Sequence, residues 1–262
     1  GTRATYQPLN VNNNGYRYGA GGNIITSVTL EGKISDRLVL AATPRASYDN
    51  MQAGEATLES AYAKTNFRNI SIQIGKDAAL WGQGTRGSLM FSNNAEPQTA
   101  VRLSNIEPNR PGGLLAFLGK ENTTISYSVL ETHRDVPYPS FIAMRFDFTP
   151  SENFTFALAR ADMIGGKGHM LDHGDYRRWF LGRNARGDDK WNSQAGGDFR
   201  WRLPRLGGIQ LYGEIYGEDQ YELTITPGPY RLAKIYGIYI PRLAADGSSG
   251  RTGTARIHRS RR

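Results

Sequence analysis

Two histidines and two aspartates fall within seven residues in His169-Met170-Leu171-Asp172-His173-Gly174-Asp175. On a helix, histidines four residues apart share one face and can ligate a divalent metal. Here Gly165, Gly166, Gly168 and Gly174 surround the pair. Glycine disfavours a rigid helix, so the segment reads as a polar loop and no metal site is assigned. Ser88, His133 and Asp135 supply the side-chain types of an acyl-transfer triad, but no G-x-S-x-G elbow accompanies them. Gly19-Ala20-Gly21-Gly22 lacks the Gly-Lys-Ser/Thr ending of a phosphate loop and reads as glycine beside a bent strand. Carboxylate pairs for glycoside cleavage are defined by their separation in space, which a sequence does not display. No catalytic residue and no cofactor is assigned.

Two other residue sets fit binding or structural chemistry. Trp81, Arg86, Asn93, Asn94, Glu96 and Arg102 combine a flat aromatic surface with amides, a carboxylate and guanidinium groups. Sugars are held by such surfaces and such hydrogen-bond partners. The competing reading is that the polar members tie down a loop while Trp81 anchors a strand end. Arg145, Asp147, Arg160, Asp162, Asp198, Arg200, Arg202 and Glu214 sit in mid-strand positions, and the expectation is that they form ion pairs across a lumen wall.

The elements that must position these residues are strands. Helical periodicity is scarce, while period-2 alternation recurs in long runs. Ile125, Tyr127 and Val129 oppose Thr124, Ser126 and Ser128; Ile142, Met144, Phe146 and Phe148 oppose Arg145 and Asp147. Phe199, Trp201 and Leu203 oppose Asp198, Arg200 and Arg202. Further runs cover 24–34, 37–48, 57–67, 70–80, 154–163, 209–218 and 233–240, with 114–119 as a short candidate. This predicts about eleven strands. Many reach the roughly 9–11 residues a tilted strand needs to cross a bilayer, against a mode of about 5–6 in soluble sheets. Charged residues on one parity and apolar residues on the other are what a wet lumen and a lipid face require. A soluble antiparallel sheet with one solvated face alternates too. Tyr16, Tyr18, Tyr48, Tyr62, Trp81, Trp201, Tyr236 and Tyr239 fall near predicted strand ends, where interfacial aromatic belts sit. The stretches 81–113 and 164–193 read as long loops.

Composition narrows the classes further. The 262 residues contain 28 aromatics (14 Tyr, 10 Phe, 4 Trp), 31 Gly and no cysteine, which excludes thiolate metal sites and a disulfide scaffold. Mean hydropathy is −0.52, and no run approaches the ~20 apolar residues of a spanning helix. The formal charge of +8 suggests a nucleic-acid partner, but its location argues against one. Residues 247–262 hold five Arg and no acid, and 32 less 5 leaves 27 basic residues against 24 acidic. The expectation is one barrel domain over 1–246, a basic Ser/Gly/Arg tail over 247–262 outside the fold, and no nucleic-acid partner. The opening GTRATYQPLN has neither the charged region nor the apolar region of a signal peptide.

The segment WGQGTRGSLMFSNNAEPQTAVRLSN, Trp81 to Asn105, follows the strand sequence IQIGKDAAL. It resembles the signature region of the capsule-assembly Wzi family of outer-membrane β-barrel proteins of Gram-negative bacteria. NSQAGGDFRWRLPRLGGIQLYGEIYGED, Asn192 to Asp219, is similar to later barrel strands of that family. The resemblance spans roughly residues 60–220. It implies an all-β, antiparallel, up-and-down transmembrane β-barrel in the bacterial outer membrane, surrounded by lipid. It further implies a monomer that is not an enzyme, with loops folded over the outer mouth that hold capsular polysaccharide or exopolysaccharide. Family members carry more strands after the region matching GEIYGED. The tail RLAADGSSGRTGTARIHRSRR shows no alternating closing strand. The barrel is therefore expected to be incomplete, the chain being a fragment or its last ~15 residues an altered reading. An outer-membrane channel for small solutes or saccharides is the alternative, since charged residues would line its lumen. A soluble periplasmic β-sandwich or carbohydrate enzyme is a third.

Overall fold

A computed structural model of the chain describes residues 14–16, 18, 22–49, 54–84, 87–183, 190–220, 229–241 and 250–252. Gly19 to Gly21, Arg86 and most of the basic tail lie outside the described residues. The strands are β1 (Asn23–Ser27), β2 (Leu30–Lys33), β3 (Leu38–Asp49), β4 (Glu55–Phe67), β5 (Ile70–Asp77), β6 (Gln98–Asn105) and β7 (Lys120–Val129). They continue with β8 (Ser140–Ser151), β9 (Phe154–Ile164), β10 (Trp191–Leu203), β11 (Ile209–Gln220), β12 (Pro229–Ile240) and β13 (Gly250–Thr252). All belong to one 13-stranded sheet in which strands pair in chain order, apart from β1 and β2, which both pair with β3. Every pairing is antiparallel. This is the expected up-and-down architecture. Among the described residues the sheet is open: β1 and β13 do not pair with each other.

Several elements differ from expectation. The run 24–34 is split into β1 and β2, yet the pairs Ser27 with Arg45 and Leu30 with Ala42 keep one register. The break lies opposite Pro44, which has no N–H to donate, and β3 also shifts register against β4 between Thr43 and Pro44. The stretch 81–113 is not wholly irregular, because β6 occupies Gln98–Asn105. The alternation of Ala100, Arg102 and Ser104 with Val101 and Leu103 carried that signal. Residues 114–118 lie not in a strand but in a short 3₁₀ helix, Gly113–Leu118, and Gly119 makes an isolated bridge to Thr149. Gly113, its first residue (φ 59°), and Gly119, just after it (φ 73°), take up backbone that favours glycine. Within 164–193, helix α1 (His173–Phe180) forms, and β10 already starts at Trp191. Three residues of the basic segment, Gly250–Thr252, pair with β12 and join the sheet.

The two faces separate as the alternation predicts. Cross-strand partners share a face, so one face can be traced through Leu103, Ile125, Met144 and Arg160, and through Phe146, Leu158, Gly197 and Ile215. It exposes Ile24, Leu40, Ile74, Val101, Leu103, Ile125, Phe146, Leu158 and Ile215. The opposite face carries Lys64, Gln73, Arg102, Ser126 and Ala143 in one cross-strand row. The long β5–β6 loop packs on that second face, called the inner face below. Of the expected belt aromatics, Tyr48, Trp201 and Tyr236 lie on the outer face, whereas Tyr62 and Tyr239 lie on the inner one. Phe148, Phe154 and Phe156 add outer-face rings at the β8–β9 turn, with Phe148 and Phe156 stacked at 4.9 Å.

Connections differ between the two ends of the sheet. The ties 34–37, 68–69, 152–153 and 204–208 close one end, whereas 78–97, 130–139 and 165–190 emerge at the other. The segment 106–119 is a longer connection at the short-turn end. No described helix is long and apolar enough to cross a membrane.

Candidate functional site

The site is built by the β5–β6 loop, which leaves the long-loop end and turns inward. Its sequence, Trp81-Gly82-Gln83-Gly84 and then Gly87-Ser88-Leu89-Met90-Phe91, alternates glycine with groups able to make contacts. The backbone N–H of Trp81 donates to the carbonyl of Phe91 at 3.0 Å, closing the loop on itself. Trp81 and Phe91 meet edge to face at 4.8 Å, and Phe91 meets Phe141 in the same manner at 5.8 Å. Trp81 and Met90 pack with Ala143, Ala159, Ala161 and Tyr216, an apolar cluster otherwise supplied by β8, β9 and β11. Alanines at three inner-wall positions leave the room that the loop fills.

Glu214, on β11, holds the loop from beneath and is completely buried. Its Oε1 accepts from the N–H of Gln83 at 2.5 Å and of Gly84 at 2.7 Å. Its Oε2 accepts from the N–H of Leu89 at 2.8 Å and the Ser88 hydroxyl at 3.0 Å. The loop thus wraps a carboxylate in a nest of backbone amides. Gly82 (φ 144°) is essential to that approach: a Cβ there would stand 2.5 Å from Glu214 Oε1 and 2.0 Å from Ser88 Oγ.

A second carboxylate, Asp198 on β10, extends the network. Arg145 grips it with two hydrogen bonds, at 2.7 and 3.1 Å. The Tyr216 hydroxyl donates to it at 2.9 Å and the Gln83 side-chain amide at 2.7 Å. Arg145 also donates to Asp147 at 2.9 Å. Arg145, Asp147 and Asp198 therefore form the expected inner-wall ion-pair network. Buried charges of this kind need such saturation of their hydrogen-bonding capacity.

The remaining ion-pair expectations need correction. Glu214 pairs with no cation among the described residues; amides satisfy it instead. Arg160 and Asp162 do pair, at 2.9 Å, but on the outer face, in register with Met144 and Ile142. There the loop carrying α1 covers them. Arg160 lies over the Trp179 ring at 5.5 Å and donates to the Trp179 carbonyl at 2.9 Å. Arg200 and Arg202 face inward without an ion pair among the described residues, because their partners across β11 are Tyr212 and Gln210.

The saccharide-directed set is dispersed. Trp81 and Asn93 line one cavity, and the backbone carbonyl of Asn93 accepts from the N–H of Asn14 at 2.7 Å. The Asn94 side chain lies beside Gly87. Glu96 is exposed and pairs with Lys76 at 2.5 Å, Arg102 pairs with Asp77 at 3.3 Å, and neither lines that cavity. Arg86 lies outside the described residues. The cavity measures about 550 Å³, and its wall includes Arg200, Gln210, Tyr212, Tyr239 and Ser92. Sequence reasoning missed Gln210, Tyr212 and Tyr239 as cavity residues and Glu214 as the loop's anchor. The W-G-x-G-x-x-G spacing marked a loop that closely approaches another group, but not which group.

The polar segment 169–175 is more ordered than a loop of glycines suggests. Asp172 accepts from the Asp175 N–H at 2.8 Å and Asp175 returns the bond at 3.1 Å, a capping box that starts α1. Lys190 donates to Asp175 at 2.6 Å. That hydrogen bond, with the one from the Asp172 backbone, holds the Asp175 carboxyl below the usual carboxylate range. No group of three or more potential metal ligands occurs among the described residues. Ser88 is engaged with Glu214 and the Trp81 carbonyl, while His133 makes a contact at 3.2 Å with Thr132.

The comparisons agree with this architecture. A curated Klebsiella pneumoniae relative, an uncharacterized 55.8 kDa protein in the cps region, is 30% identical over 165 residues, 61% of this chain and 33% of that protein. One solved structure is described as Wzi, an outer membrane protein involved in group 1 capsule assembly in Escherichia coli and a carbohydrate-binding β-barrel. It matches with a TM-score of 0.60 at 21% identity, over 83% of this chain and 52% of that one. The chain spans about a third of the curated relative's length and about half of the solved structure's. The family model for the capsule assembly protein Wzi matches residues 2–249. An up-and-down sheet with a loop fastened to its inner wall, matched by that model over nearly its whole length, thus belongs to the Wzi family of capsule assembly proteins.

Proposed function

We propose that this chain forms part of a non-catalytic β-barrel of the bacterial outer membrane that binds capsular polysaccharide or exopolysaccharide at the cell surface. The observation that carries the reading is the cavity between the fastened β5–β6 loop and the inner wall. Trp81, Tyr212 and Tyr239 give it aromatic surface, and Asn93, Gln210 and Ser92 give it hydrogen-bonding groups. Those are the two requirements for holding a sugar. The apolar face carrying Ile74, Leu103, Leu158 and Ile215 supports contact with lipid, and the short turns at one end support a periplasmic orientation for that end. Monomeric action without a nucleic-acid partner, and without catalytic chemistry, belongs to the same reading. The solute-channel alternative is disfavoured by the loop, which Glu214 and the apolar cluster fix across the inner face.

The test uses the variant Asn93→Ala with Gln210→Ala, expressed in a capsulated host lacking the native protein. Retained capsule is measured by cell-bound polysaccharide, and unit conductance is measured in planar bilayers. The expected result is capsule released into the medium and no stable conductance steps from the unaltered protein. Full retention by the variant, or stable unit steps from the unaltered protein, would overturn the reading.

A further inference from the structure

Arg200, like Arg202, differs from the inner-wall arginines Arg145 and Arg102. Arg145 is committed to Asp147 and Asp198, and Arg102 to Asp77. Arg200 is exposed on the cavity wall and has no carboxylate within ion-pair distance among the described residues. Its neighbours across the ladder, Thr155 and Tyr212, are uncharged. Arg202, two positions along the same face, also lacks an ion pair among them. The nearest inner-wall acids are already consumed: Asp198 by Arg145, and Glu214 by the loop amides. This stretch of wall is therefore cationic.

The aromatic side of the cavity is equally defined. Tyr212 lies over Gly237, where a Cβ would stand 2.1 Å from the ring's Cζ. The glycine lets the ring lie against the wall. Trp81 is fixed from the loop side by its edge-to-face contact with Phe91. The cavity's about 550 Å³ falls within the roughly 300–1,000 Å³ typical of small-ligand sites.

From this placement we infer that the cavity binds an acidic sugar unit, its carboxylate paired with the Arg200 guanidinium and its ring set beside the parts of the largely buried Tyr212 and Trp81 that line the cavity. The inference rests on the polysaccharide-binding reading and deepens it by naming the charge class of the ligand. A planar guanidinium suits a carboxylate because two parallel N–H groups meet its two oxygens. A neutral sugar would leave that donor pair unused. Gln210 and Asn93 remain available for ring hydroxyls.

The experiment is calorimetric titration of the full chain in detergent with two probes: a galacturonic acid tetramer and its carboxyl-reduced, neutral counterpart. The unaltered protein is expected to bind the acidic tetramer at least about tenfold more tightly. Arg200→Gln should remove that preference, with near-equal affinity for both probes, and Arg200→Lys should retain part of it. Circular dichroism of each variant confirms the sheet. Equal binding of both probes by the unaltered protein would overturn the acidic-sugar inference alone and leave the polysaccharide reading standing. So would a preference that survives Arg200→Gln. Binding of neither probe by the unaltered protein would overturn the inference and count against the polysaccharide reading as well. The two-probe comparison needs no variant, so a failure of Arg200→Gln to fold does not remove the test.

Discussion

Replacing Glu214 by Gln tests whether one buried carboxylate fixes the loop that shapes the cavity. Each carboxylate oxygen accepts two hydrogen bonds: Oε1 from the N–H groups of Gln83 and Gly84, Oε2 from Leu89 N–H and Ser88 Oγ. An amide keeps one carbonyl oxygen and turns an NH₂ toward the other two donors. Whichever way it is oriented, two donors lose their acceptor and face a donor instead. Hydrogen bonds to a charged group are worth about 1.5–3 kcal/mol each, so the closed loop should lose roughly 3 kcal/mol or more. At about 1.4 kcal/mol per factor of ten, loop opening becomes roughly 100-fold more frequent. The assay is amide hydrogen exchange read by mass spectrometry on peptides covering 81–91, with peptides from β8 and β9 as internal reference. Faster exchange confined to the loop is expected. Exchange in 81–91 within about threefold of the unaltered protein would refute the anchoring role. An equal acceleration in β8 and β9 would show that Glu214 supports the whole sheet and not the loop in particular.

Two further outcomes follow from the outer face and from the outer loop. Leu158→Arg places a charge among exposed apolar residues of that face. If the face meets lipid near the bilayer centre, the folded state should lose about 2–4 kcal/mol in vesicles; an unchanged urea midpoint for refolding into lipid would exclude lipid contact there. Asp175 has its carboxyl held low in the folded state by Lys190 and by the cap at Asp172. A depressed folded value means that its contribution is present above the ordinary Asp value of about 3.9 and is lost as pH falls through the lower, folded value. Trp179 fluorescence, reporting on α1, should therefore change on acidification below about pH 4. Lys190→Met should move that transition upward, and an identical transition in the variant would show that Lys190 has no part in it.

How much of this was legible from residues alone can be argued strand by strand. Alternation placed most of the long strands within a few residues, because a two-sided wall imposes period 2 wherever its faces meet different media. Where it failed, another constraint acted. Pro44 cut the ladder that parity alone would have continued, from β1 to β2. Gly112-Gly113 and Gly119 replaced an expected strand at 114–119 by a 3₁₀ turn. The capping box at Asp172 started a helix that the surrounding glycines argued against. Parity also contained the face of Arg160 and Asp162, which follow Leu158 and not Ala157. Grouping them by charge instead of by parity placed them on the wrong side of the wall.

The sequence by itself determined the class of fold, the existence of a charged and an apolar face, and the glycine-spaced loop after β5. These are local properties: propensity, periodicity and the freedom of glycine depend on neighbours along the chain. Only the tertiary structure decided that the loop turns inward, that Glu214, more than a hundred residues away, receives its amides, and that Arg145 takes Asp198 while Arg200 is left facing a cavity. Those outcomes depend on sheet register and on which small side chains leave room, as Ala143, Ala159 and Ala161 do for the loop. A one-residue slip between β10 and β11 would exchange every such partner. The chemistry of the site is therefore set by pairing across the sheet, a relation that residue types and spacing along one strand do not contain.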